Sequence, residues 1–147
     1  MSRRSCTTTR RSSNHAPVTT MTGMYATALP EGLLDRLFAA IDAKDAAAVA
    51  EFMAEDGVFR FGSAPAVSGR AAIQAAVADF FSTIDGLSHS ITKVWREDAS
   101  LACEGEVCYR RHDGTEIVVP FVNVFEFDGE RISAYKIYID IAPLYAG

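Results

Sequence analysis

The stretch Val119-Pro120-Phe121-Val122-Asn123-Val124-Phe125-Glu126-Phe127-Asp128-Gly129-Glu130-Arg131-Ile132 reads as a strand, a tight turn and the start of a second strand. β-Branched and aromatic residues dominate its first half. Asp128-Gly129 is a dipeptide that favours a hairpin turn. Strands are therefore expected over 115–127 and 131–140. Apolar residues fill both parities between Val118 and Phe127, so both faces of this strand are expected to be covered. Asn123 interrupts that apolar run, and a buried amide costs free energy unless it finds partners.

Upstream, two more strands are expected, near 88–96 and 100–112, with His112-Asp113-Gly114 as the next turn. The four strands then form an antiparallel meander. The preceding chain has helical period instead. Leu33, Leu34, Leu37, Phe38 and Ile41 make one stripe of a helix over about Pro30 to Ala43. Asp45 is placed to cap a second helix that buries Val49, Phe52 and Met53. Val58 to Phe61 reads as a short strand. Ser68 is placed to cap a third helix, with Ile73, Val77, Phe80, Phe81 and Ile84 on its inner side. Three helices followed by long antiparallel strands predict an α+β domain with helices on one face of a sheet.

Residues 1–28 carry four arginines and no acid, and show no apolar period. They read as a disordered extension, or as sequence upstream of a true start at Met21 or Met24. The domain is assigned to 29–147. Beyond residue 30 the chain has 10 basic and 19 acidic residues. Such a surface repels phosphate backbones, which argues against nucleic acid as a partner. No apolar stretch approaches the roughly 18 residues that span a bilayer, so no membrane role is expected. His15, His89 and His112 have no metal-ligand spacing, and neither metal nor cofactor is expected. Cys103 and Cys108 lie too far apart along one strand to pair with each other. Small buried thiols of this kind suit a reducing, cytoplasmic compartment.

The quoted hairpin resembles the penultimate hairpin of SnoaL-like polyketide cyclases, shared by ketosteroid isomerases and limonene epoxide hydrolases. Tyr135-Lys136-Ile137-Tyr138-Ile139-Asp140-Ile141-Ala142-Pro143-Leu144 resembles their last strand, and Phe52 to Ile73, with Ser68-Gly69-Arg70-Ala71-Ala72-Ile73, resembles their entry into the third helix. The resemblance implies a nuclear transport factor 2-like fold: a cone-shaped curved antiparallel sheet wrapped by three N-terminal helices around one small-molecule pocket. It also supports a homodimer through the open face of the sheet.

The family's chemistry does not carry over intact. By this alignment the isomerase's carboxylate base falls on Phe61. The acid on the last strand of cyclases and epoxide hydrolases falls on Ile137. The isomerase's proton-donating acid falls on Asn123, whose amide can donate a hydrogen bond without being an acid. The epoxide hydrolase's Arg-x-Asp pair falls on Glu104 and Glu106.

The candidate catalytic residues are His89, Glu106, Asn123 and Tyr135. Glu106 or His89 would move a proton, and Asn123 and Tyr135 would hold a developing oxyanion. Glu104, Glu106 and Cys108 alternate on one strand face, expected by that alignment to look into the pocket. His89 is expected on a face that continues through Lys93 and Trp95. Phe59, Phe61, Trp95 and Ile137 are expected to complete an apolar wall, and Asp140 to cap a turn. Three readings follow: an acid–base enzyme acting on an apolar oxygenated molecule, a non-catalytic binder of such a molecule, or a structural dimerisation domain.

Overall fold

A computed structural model describes residues 32–146. The extension expected over 1–28 lies outside the described residues. Helix α1 (Leu33–Asp42) buries Leu33, Leu37, Phe38 and Ile41, the stripe read from the sequence. Helix α2 (Ala46–Glu51) starts at Asp45, whose carboxylate accepts from the Ala48 amide at 3.0 Å.

The chain then departs from expectation. Phe52 ends α2, and Met53 begins a strand, β1 (Met53–Phe61), five residues earlier than the apolar pattern suggested. The last strand draws the chain out: the Ile132 amide donates to the Phe52 carbonyl, and Met53 pairs with Ile132. A two-residue strand, β2 (Val67–Ser68), follows, so Ser68 is held in a ladder and does not cap α3 (Arg70–Ser82). Gly69 takes that position at φ 94°, a conformation that suits glycine.

Strands β3 (Gly86–Glu97), β4 (Ser100–Arg110), β5 (Glu116–Asp128) and β6 (Arg131–Ile139) form the expected antiparallel meander. β1 joins β6 in parallel, which gives one curved six-stranded sheet in the order β2-β1-β6-β5-β4-β3. A last turn of helix, α4 (Ala142–Tyr145), was not foreseen. Asp140 accepts from the Ala142 amide at its start, and Arg111 donates to the Pro143 and Leu144 carbonyls at its end. Helices and inner sheet face share one core, in which Met53, Ile73, Ile84, Val107, Phe125 and Ile132 are fully buried. No described helix is long and apolar enough to cross a membrane.

Register decides which side chains look inward. Cys103 pairs with Asn123 and Val107 with Val119, so odd-numbered β4 residues face the helices. Glu104, Glu106 and Cys108 therefore lie on the outer face, opposite to the expectation. A one-residue error of parity moves every side chain of a strand to the other side. β3 carries a second correction. Its pairing slips between Ile91 and Lys93, so Thr92 is an extra residue and alternation reverses across it. His89 pairs with Val107 and faces in; Lys93 and Trp95 pair with Glu104 and Ala102 and face out. Trp95, 42% exposed under the Lys93 ammonium, is not part of the pocket wall.

Candidate functional site

Between the helices and the inner face lies a cavity of about 230 Å³. Its lining is apolar except for His89, Tyr109, Asn123 and Tyr135. Ala64 and Pro65, from the turn after β1, are exposed, and Phe61, Phe80 and Ile139 are half-buried, which places the mouth there. Asn123, Tyr135, Val107 and Val49 are buried and form the deep end. Of the residues singled out in the sequence, His89, Asn123, Tyr135, Phe59, Phe61 and Ile137 line this cavity. Glu104, Glu106, Cys108 and Trp95 do not.

His89 has a partner the sequence did not suggest. Its backbone N–H donates to Asp42 Oδ2 at 3.1 Å, and its ring Nδ1 lies 2.6 Å from Asp42 Oδ1. A carboxylate only accepts, so Nδ1 carries a proton, and in the neutral ring Nε2 is the nitrogen with the lone pair. Nε2 has no hydrogen bond among the described residues. Phe38 and Phe121 flank the ring, with centroids 4.9 and 5.2 Å from it, and fix its plane. The imidazole is thus oriented by a carboxylate on one side and by two phenyl rings, one tilted and one edge-on to it, with Nε2 left unused.

Asp42 sits at the last position of α1, where the helix dipole disfavours an acid. That misplacement was the available signal for it. Tyr109 was missed through the same parity error that turned Glu106 inward.

At the other end of the wall, Asn123 is 1% exposed. Its Nδ2 donates to the Tyr135 hydroxyl at 3.4 Å, and its Oδ1 has no hydrogen-bond partner. Burial, and then the neighbouring Cys103, Tyr109 and Asp42, push the Tyr135 phenol well above its ordinary pKa. Burial does the same to Tyr109, and raises the Cys103 thiol to about 12. All three are neutral near pH 7, so both tyrosines offer hydroxyl donors rather than phenolates. His89 lies level with Val119 across two strand spacings, four residues along β5 from Asn123. On a flat sheet that is about 16 Å between Cα atoms, shortened here by curvature and side-chain reach. Imidazole and amide are therefore two separate polar points on the wall, the amide at the deep end. Among the described residues, no group of three His, Cys, Asp or Glu could hold a metal ion.

A curved sheet and N-terminal helices around a largely apolar pocket define the class: α+β pocket domains of the nuclear transport factor 2-like kind. The chain belongs to the SnoaL-like domain family, whose model matches residues 34–135. Solved structures share the fold. A protein of Xanthomonas campestris pv. campestris ascribed to the polyketide cyclases is 21% identical, with a TM-score of 0.70 over 78% of this chain and 93% of its own. A hypothetical protein of Catenulispora acidiphila with a ketosteroid isomerase-like fold, in complex with trimethylamine, is 22% identical, with a TM-score of 0.68 over 76% and 86%. An epoxide hydrolase of M. tuberculosis, like limonene epoxide hydrolase, is 17% identical, with a TM-score of 0.63 over 74% and 80%. At these identities the likeness is one of fold. No curated protein sequence matches the chain.

Proposed function

We propose that the domain catalyses proton transfer on a neutral, apolar, oxygen-bearing small molecule held in this cavity. The observation that carries the reading is the Asp42–His89 pair, which holds by one nitrogen an imidazole that lines a largely apolar pocket and leaves Nε2 without a partner among the described residues. His89 takes a proton from carbon or oxygen near the mid-cavity and returns it elsewhere, as a general base and then acid. Asp42 sets its tautomer and orientation. Tyr135 and Asn123 hold a ligand oxygen at the deep end by neutral hydrogen bonds. Glu106, exposed on the outer face, has no part in it.

The test is hydrogen exchange at carbon. 5-Hydroxy-1-indanone in D2O should lose its C2 protons faster with the protein than without it, followed by proton NMR. His89→Gln should reduce that excess by about 10²- to 10⁴-fold. Exchange catalysed equally by His89→Gln would sink the reading. A binder without chemistry would bind the probe and leave its exchange unchanged.

We also propose that the outer face mediates a homodimer. Its central strands present half-buried Val118, Val122 and Val124, next to exposed Tyr138 and Trp95. Large exposed aromatics flanking a strip of half-buried valines favour an interface. Sedimentation equilibrium at tens of micromolar should give twice the chain mass; a monomer there rules it out.

A further inference from the structure

We propose that the group anchoring the ligand at the Asn123–Tyr135 end is a neutral hydroxyl, carried on a compact skeleton of about two fused rings. The inference rests on the cavity being the substrate site proposed above. It goes beyond that reading by naming which oxygen function the site selects.

The argument starts from hydrogen-bond counting. An amide has an acceptor oxygen and a donor nitrogen; a phenol both donates and accepts. As they stand, Asn123 Nδ2 donates to Tyr135 Oη, which leaves the Tyr135 O–H and Asn123 Oδ1 unused. A half-turn of the amide reverses the roles: Tyr135 would donate to Oδ1, leaving Nδ2–H and a lone pair on Oη. In both arrangements Nδ2 also keeps a further N–H, so the pair offers the ligand at least one donor and one acceptor. A hydroxyl satisfies both at once. A ketone satisfies the donor alone and leaves a buried acceptor orphaned.

Charge narrows the class further. No Lys, Arg, Asp or Glu lines the cavity. A carboxylate or phosphate would leave water with no permanently charged side chain to meet it, and with its proton-carrying partner His89 needed as a base, which is costly. Size sets the rest. A cavity of about 150 Å³ takes benzene. At about 230 Å³ this one is half as large again, enough for a bicyclic skeleton of nine or ten carbons. The aromatic wall of Phe59, Phe61, Phe80 and Phe121 suits flat rings.

Calorimetric titration with 1-indanol (each enantiomer), 1-indanone and indane tests this, since the three share a skeleton and differ at one oxygen function. One enantiomer of 1-indanol should bind about tenfold or more tighter than 1-indanone. Tyr135→Phe and Asn123→Leu should each bring that ratio within about twofold. If Asn123→Leu does not fold, Tyr135→Phe alone carries the comparison. Equal or tighter binding of 1-indanone, a ratio unchanged in Tyr135→Phe, or no binding of any of the three at millimolar concentration overturns the proposal. An indanol preference without His89-dependent exchange on 5-hydroxy-1-indanone would sink proton transfer and leave the hydroxyl anchor standing. Exchange together with an indanone preference would do the reverse.

Discussion

Asp42→Asn is expected to leave the domain folded and to slow His89-dependent proton transfer by about two to four orders of magnitude. Asparagine has the shape of aspartate but only one acceptor oxygen. Two donors now share the carboxylate: the His89 backbone N–H at Oδ2 and the ring Nδ1–H at Oδ1. The backbone group cannot change its role, because an amide N–H only donates. The asparagine oxygen must therefore face it, which turns the amide NH₂ toward Nδ1. Nδ1 becomes the acceptor and the ring proton moves to Nε2. The base that faced the ligand is then a donor, although no atom has moved far.

Two readouts separate this from a general loss of structure. The nitrogen-15 shifts of His89 should exchange, with Nε2 moving from the lone-pair to the protonated position. Thermal stability should hold, because the substitution also removes an acid from the unfavourable end of α1. Unchanged shifts with full exchange activity would mean that Asp42 does not set the tautomer. Lost activity with unchanged shifts would place the defect elsewhere.

The parts of the fold legible in the sequence were those where local chemistry and tertiary packing agree. Asp128-Gly129 between β-branched runs specified the β5–β6 hairpin, and the α1 stripe at helical spacing became its buried face. Asn123 and Tyr135 stood out because each breaks an apolar strand whose inward parity the hairpin sets. The errors came where alternation alone had to be trusted over a long distance. A strict period of two carried His89 through Lys93 to Trp95, but Thr92 is a bulge and the faces exchange there. Glu104 and Glu106 were turned inward by an alignment one residue out of phase, which hid Tyr109. Asp42 escaped for another reason: its place at the end of α1 is odd but names no partner, because that partner is 47 residues away and only the folded sheet brings them together. Polar residues at a site are individually unremarkable; their pairing is a property of register.

Gly105→Ala is expected to destabilise the domain by about 3 kcal/mol or more, lowering its melting temperature by about 10 °C or leaving it insoluble. Gly105 pairs with Ile91 on one side and Phe121 on the other, beside the bulge. A Cβ built there would lie 1.9 Å from the Ser90 carbonyl oxygen, 2.9 Å from its carbon and 3.0 Å from Ile91 Cα. All three are backbone atoms, so no rotamer change relieves the contact. β3 would have to move off β4 where the bulge directs His89 inward and Trp95 outward. The φ of Gly105 is not positive, so conformational strain adds nothing and the whole cost is steric. Gly129→Ala is the control. That turn residue has φ 61° but nothing within 4 Å of an added Cβ, so its replacement should cost only about 1 kcal/mol of backbone strain. Melting curves of the two variants should therefore differ by several degrees, with Gly105→Ala the lower. If Gly105→Ala melts within 2–3 °C of the parent, roughly the effect of half a kcal/mol, the strands tolerate separation there. The close approach would then not be what holds the bulge, and with it His89, in place.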